Sequence, residues 1–149
     1  MKKIIIVRHG DYSGSNLTTL GVNQMETLAG FLSWVNPTQT TMLSSSASRA
    51  SNSARILSEK LGLPFTEHYG LWSDDDHDYD LRFASQLIKS QDSEAVILIT
   101  HLEYAQYLPK FICKDIFGNT ELMNGYSGLY KGQMVLINLE KKCYETFSG

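Results

Sequence analysis

Four consecutive apolar β-branched residues, Ile4-Ile5-Ile6-Val7, stand near the start of the chain. Such a run has no polar face. It has to be covered on both sides, which restricts it to an inner strand of a parallel sheet with helices above and below. The run ends in Arg8-His9-Gly10. In open α/β sheets, ligands bind just beyond the carboxyl ends of such strands. A guanidinium fork at that place suits phosphate or carboxylate, and an imidazole beside it can attack or shuttle a proton. Glycine lets the backbone turn or a ligand approach closely. Taken alone, the tripeptide reads more simply as an ordinary polar strand end, so its meaning depends on what the rest of the chain supplies.

The remaining sequence alternates strand with helix. After the first strand (residues 3–8), Asp11–Asn16 reads as a polar loop, and Thr18 or Thr19 can cap a helix. Val22, Met25, Leu28, Ala29, Leu32 and Val35 recur at helical spacing, predicting a helix to about Trp34. Thr40–Ser44 reads as a strand, Ser45–Ser48 as a turn, and Ala50, Ala54, Ile56, Leu57 and Leu61 as a helix ended by Gly62 and Pro64. Phe65–Tyr69 reads as a third strand. An acidic loop, Ser73–Asp80, follows and caps a helix over residues 80–90. Ala95–Thr100 repeats the opening pattern, again ending in a histidine, His101. Thr100 and Glu103 have the spacing of a capping box for a helix from Leu102 to Ile112, which Pro109 is expected to kink or shorten. Gln133–Leu139 and Cys143–Phe147 read as late strands, the last an antiparallel edge. The sum is one α/β domain, residues 1–149: a three-layer α/β/α sandwich with a mostly parallel central sheet and an antiparallel edge strand.

Composition narrows the functional classes. A net charge of −3 gives no broad nucleic-acid surface, and no apolar stretch is long enough to span a membrane. The Met1-Lys2-Lys3 start imitates a signal peptide, but the apolar run behind it is too short, so the expected location is cytoplasmic. Cys113 and Cys143 match no metal spacing and read as reduced thiols. The one metal-like stretch is His77 within Asp74–Asp80. It lacks the glycine and closing glutamate of a calcium loop, and a solvated acidic loop is the simpler reading.

Four side chains fall at one sheet edge if these elements hold: Arg8 and His9, Arg49 in the first turn of the second helix, and His101. A cation is unusual at a helix N-terminus, where the dipole prefers anions. Together with free N–H groups, it favours a bound anion. Two arginines and two histidines around one point suit phosphoryl transfer, which needs charge neutralisation and a placed nucleophile. On these residues the chain resembles the histidine phosphatase, or phosphoglycerate mutase-like, superfamily. Arg8-His9-Gly10, then Leu17-Thr18, Gly21 and Gln24, then Ser44-Ser45, Arg49-Ala50 and Ala54, and finally Thr100-His101 match its motifs in order.

The resemblance implies His9 as nucleophile, with Arg8, Arg49 and His101 holding the phosphoryl oxygens and Gly10, Asn16 and Thr18 beside the substrate. It implies neither metal nor organic cofactor. The partner would be a phosphorylated substrate, either a small molecule or a phosphohistidine protein; neither nucleic acid nor membrane is expected, and oligomeric state stays open. There are departures from the family pattern: Ser46 replaces a proline, Asn52 and Ser53 replace Gln-Thr, and Asn16 is shifted by one place. No segment matches the glutamate that protonates the leaving group. Asp74, Asp75, Asp76 and Glu67 are the candidates nearby, while Glu103 lies two places past His101, off the position used in the phytase-like branch. A short chain without that acid is similar to the small bacterial phosphohistidine phosphatases, whose phosphoramidate substrate releases imidazole more easily than an ester releases alkoxide. A small-molecule phosphomonoesterase and a non-catalytic phosphate-binding module are the alternatives.

Overall fold

The opening run behaves as its composition demands. In the computed structural model, which describes residues Met1–Gly149, strand β1 (Lys3–Arg8) is central in a sheet of six. Ile4 to Val7 have no exposed surface. Side chains alternate between the two sheet faces, as strand geometry requires: Ile4 and Ile6 enter one apolar cluster, and Ile5 and Val7 the other.

A small hairpin, β2 (Tyr12–Ser13) and β3 (Asn16–Leu17), replaces the expected plain loop. Helix α1 (Thr19–Phe31) then begins with Thr18 as its cap, whose hydroxyl accepts from the Gly21 N–H; it stops at Leu32 rather than Trp34. Strand β4 (Thr40–Ser45), helix α2 (Ser48–Leu61), strand β5 (Phe65–His68), helix α3 (Leu81–Lys89), strand β6 (Ala95–Thr100) and helix α4 (Leu102–Phe117) follow. Gly62 ends α2 in the left-handed conformation and Asp80 caps α3, as their residue types predict. Strands β7 (Gln133–Asn138) and β8 (Cys143–Ser148) complete the chain.

The sheet order is β5-β4-β6-β1-β7-β8. The first four strands in that order run parallel; β7 is antiparallel to β1, and β8 to β7. The antiparallel edge is therefore two strands wide. One face is covered by α1 and α2, with Met25, Leu28, Ala54 and Leu57 inward; the other by α3 and α4, with Ala84, Ile88, Leu108 and Ile112 inward. The chain passes from β1 out to β4 and β5 and returns to place β6 between β4 and β1. Their carboxyl ends therefore converge, which is where α/β sheets hold ligands. No helix is long and apolar enough to cross a membrane. Cys113 is buried in α4 and Cys143 is exposed, both as free thiols.

Two expectations about α4 fail for identifiable reasons. Pro109 does not shorten the helix, which runs on to Phe117. Proline has no N–H to give the carbonyl four residues earlier, that of Ala105. The buried Tyr126 hydroxyl donates to that carbonyl instead, at 2.6 Å. Burial also pushes the Tyr126 phenol well above its ordinary range, so it keeps its proton. Nor does the capping box form: His101 is the N-cap without a side-chain bond, and the Thr100 hydroxyl donates to Leu71 O at 2.8 Å. Tyr126→Phe should leave the Ala105 carbonyl buried and unpaired. The expected cost is about 1–3 kcal/mol, read as a lower unfolding midpoint in urea with unchanged slope. An unchanged midpoint would contradict this account.

Candidate active site

Register brings the two histidines together. Arg8 pairs with Thr100 across β1 and β6, so the next residue on each strand, His9 and His101, leaves the sheet at the same level. The His9 N–H still donates to Thr100 O, and the ring centroids lie 5.2 Å apart. Both imidazoles are buried. Next to β6, β4 ends in Ser45 and leads into the first turn of α2, which delivers Arg49. A cavity of about 220 Å³ is lined by the basic or aromatic side chains of Arg8, His9, Tyr12, Arg49, His101 and Lys131 together with Ser73, Asp74, Asp75 and Glu103. That volume is below the range of drug-sized ligand pockets; it suits a phosphoryl group with part of what carries it.

Partners fix each tautomer. His9 Nδ1 lies 2.9 Å from Gly10 O, an acceptor only, so we assign the proton to Nδ1 and the free lone pair to Nε2. His101 Nε2 lies 2.7 Å from Ser45 Oγ, which itself accepts from the Ala47 N–H at 3.2 Å. We assign the Ser45 hydroxyl as donor to His101 Nε2, which puts the proton of His101 on Nδ1, a buried atom without a protein partner. Burial, followed by the charges of Arg49, Arg8 and Lys131, pulls His9 down to about 4, against the Gly10 hydrogen bond. His101 is held lower still, by burial first and then by His9 and Arg49. At neutral pH the site therefore presents one unprotonated ring nitrogen and one N–H donor.

The cations are anchored from behind. Arg8 donates to Leu129 O at 3.0 Å, and its Nε is buried without a partner. Arg49 lies over the Tyr12 ring at 5.1 Å and reaches Asp74 Oδ2 at 3.4 Å. Lys131 lies 3.1 Å from Asp11 Oδ1 and also over Tyr12.

The residues that hold this frame explain the rest of the motif. A Cβ on Gly10 would stand 2.7 Å from Gly21 O, and one on Gly21 would stand 2.0 Å from Asp11 O. The glycines thus let the end of β1 and the start of α1 touch. The Ser53 hydroxyl accepts from the Gly10 N–H and donates to Arg49 O, tying the loop after β1 to α2. Gln24 accepts from the Asp11 N–H.

Of the residues singled out in the sequence, Arg8, His9, Arg49, His101, Asp74 and Asp75 meet at the cavity. Gly10 and Thr18 stand behind it: Thr18 caps α1 and donates to Asp11 Oδ2 at 2.7 Å. Asn16 lies in the hairpin, beside a separate surface cavity shared with Asn52 and Arg55. Glu67 is exposed on β5 opposite Ser44, and Asp76 is exposed, its N–H donating to Asp74 Oδ1. Neither lines the cavity. Asp74 is a poor proton donor. The hydrogen bond from His77, then those from Trp72 and the Asp76 N–H, hold its carboxyl far below the usual carboxylate range.

Sequence reasoning passed over Tyr12, Lys131 and Ser45 and argued against Glu103, yet all of these lie at or against the site. Ser45 was visible in the Ser44-Ser45 motif. Lys131 had no local signal; it comes from a loop before β7, held by Gly132 N–H donation to His9 O. His77 pairs with Asp74, and no three His, Cys, Asp or Glu side chains are placed to hold a metal ion.

Buried neutral histidines make the fold acid-sensitive. Folded values below the ordinary 6.5 mean that the unfolded chain binds more protons at intermediate pH, so stability is intact above 6.5 and falls as pH drops toward about 4. For His9 the full interval is worth about 3 kcal/mol, with His101 adding to it. The unfolding midpoint should fall steadily between pH 6.5 and 4.5, and less steeply in His9→Gln. Equal slopes in the two proteins would contradict the assignment.

Comparison with known proteins agrees with this geometry. Residues 4–72 match the model of the histidine phosphatase superfamily (branch 1). The protein histidine phosphatase SixA, solved with tungstate, is 21% identical over 97% of this chain and 94% of its own, with a TM-score of 0.67. The α-ribazole phosphatase of Shigella flexneri is 19% identical over 98% and 95%, at 0.62. The mycobacterial glucosyl-3-phosphoglycerate phosphatase is 15% identical over 99% and 98%, also at 0.62. No protein of curated description matches in sequence. The amino-terminal half of the chain, residues 4–72, thus resembles the histidine phosphatase superfamily in sequence, and nearly the whole length shares the fold of these phosphatases.

Proposed function

We propose that this chain is a metal-independent phosphatase that works through a phosphohistidine on His9. The observation that carries the reading is the His9 tautomer: Nδ1 is committed to Gly10 O, which leaves Nε2 unprotonated in a cavity walled by Arg8, Arg49 and His101. In the first step Nε2 attacks phosphorus, the bond to the leaving group breaks, and the phosphoryl group passes to His9. Arg8, Arg49 and the Nδ1–H of His101 carry the charge on the three equatorial oxygens. In the second step water attacks phosphorus, the N–P bond breaks, and phosphate leaves with His9 restored. Donors fixed in place before the substrate arrives lower the barrier without reorganisation.

The leaving group points to the substrate class. Asp74 is held ionised, and Asp76 and Glu67 lie off the cavity. Asp75 and Glu103 stand at the wall, Glu103 accepting from the buried Ser73 hydroxyl at 3.1 Å. A carboxylate held ionised, as that of Asp74 is, serves a leaving group that brings its own proton better than one needing a proton. The imidazole of phosphohistidine is of that kind, and a small phosphomonoester is the alternative. The cavity is open where Asp75 and Leu102 are exposed, which suits a side chain presented on a protein surface. A phosphate-binding module without turnover would keep the arginines but has no use for a free Nε2.

With excess chelator present, kcat/KM for a phosphohistidine protein should exceed that for an alkyl phosphate by about 10²-fold or more, with p-nitrophenyl phosphate between them. Equal rates on the alkyl ester would point to the small-molecule alternative. Loss of all turnover on chelation would overturn the metal-independent mechanism.

A further inference from the structure

The acidic loop before α3 is only partly accounted for by capping that helix. Its first members form a closed hydrogen-bonded unit. Asp74 Oδ1 lies 2.7 Å from His77 Nδ1 and accepts from the Asp76 N–H at 2.9 Å; Asp74 Oδ2 accepts from Trp72 Nε1 at 2.7 Å. The Trp72 and His77 rings stack at 4.1 Å with an interplanar angle of 11°, and Tyr69 meets both edge-on. Every donor aimed at Asp74 restricts it to one rotamer. Its remaining contact is Arg49 NH2, at 3.4 Å from Oδ2. Arg49 has two supports in all, this carboxylate and the face of Tyr12.

We infer that Trp72, Asp74 and His77 form a positioning unit for Arg49, holding its guanidinium against the cavity so that its other N–H groups face an arriving phosphoryl group. This rests on the phosphatase reading above. A single long contact is suited to that task. A bidentate pair would neutralise the fork and occupy the donors needed for phosphate, whereas one contact at the edge of the guanidinium fixes its direction and leaves the rest of the fork available. His77 acts through two intervening residues, by keeping Asp74 turned toward Arg49. The geometry explains why a histidine and a tryptophan stand in an otherwise solvated acidic loop. Small displacements of a charge-bearing group at a reacting centre cost up to about 10²-fold.

The test is a double-mutant cycle. His77→Leu removes the donor to Asp74, and His77→Asn retains a donor near the place of Nδ1. His77→Leu should lower kcat/KM for p-nitrophenyl phosphate about tenfold, and His77→Asn should recover most of that loss. In an Arg49→Ala background, His77→Leu should cost nothing further. The affinity for inorganic phosphate, read from the thermal upshift it produces, should show the same coupling. If His77→Leu proves too unstable to assay, Trp72→Phe keeps the ring and deletes only the N–H, and the same cycle is run with it. Equal losses with and without Arg49 would overturn the positioning role, leaving a structural one. Coupling seen in phosphate binding while the wild type hydrolyses nothing would refute the phosphatase reading and leave the positioning unit standing.

Discussion

Replacing His9 with alanine should abolish turnover, by roughly 10⁴-fold or more, in a protein that still folds and still binds phosphate. The size follows from what is lost. No other unprotonated ring nitrogen faces the cavity: His101 Nε2 is spent on Ser45, and its Nδ1 carries the proton. Water in its place is a weaker nucleophile than a fixed ring nitrogen and would have to be oriented for in-line attack. Phosphate affinity survives because Arg8, Arg49 and the His101 N–H remain. The measurement is single-turnover hydrolysis of p-nitrophenyl phosphate beside phosphate binding by calorimetry. Residual turnover within tenfold of wild type would rule out covalent catalysis by His9.

Arg8→Met gives the second largest effect and separates binding from attack. Arg8 ends β1 and adjoins His9, its guanidinium fixed by Leu129 O and partnered electrostatically by Glu103. Methionine fills comparable volume without charge, so Glu103 faces the cavity uncompensated. Removing one pre-set donor from developing negative charge costs about 3–4 kcal/mol, or 10²–10³-fold in kcat. Repulsion from Glu103 should weaken phosphate binding as well, so KM rises together with the fall in kcat. In Arg8→Met/Glu103→Gln, the binding loss should be partly restored and the kcat loss should not. Restoration of both would mean that Arg8 acts on the ground state alone.

Much of this site was legible because short-range chemistry wrote it. An all-apolar run ending in Arg8-His9 has to be covered on both faces, and a second such run ending in His101 lies parallel beside it. Arg49 was visible as a cation where a helix dipole disfavours one. The rest depended on contacts far apart in sequence. Lys131 reaches the site through a loop clamped to His9 O, and Tyr126 repairs the gap left by Pro109. The capping box failed because Thr100 is buried at a strand end, where Leu71 O competes for its hydroxyl. Glu103 was judged by its offset from His101. On the first turn of α4, that offset still faces the cavity.

The claim at the centre is that phosphorus passes through His9 Nε2. The direct measurement is to mix the protein with a phosphorus-labelled phosphoramidate, quench within a turnover in alkali, and map the label by peptide. A phosphohistidine is stable in alkali and lost in acid, so the label should survive the alkaline quench, disappear on acidification, and lie on the peptide that carries His9. Label on an aspartate or glutamate, or turnover with no labelled protein at any time, would contradict the mechanism.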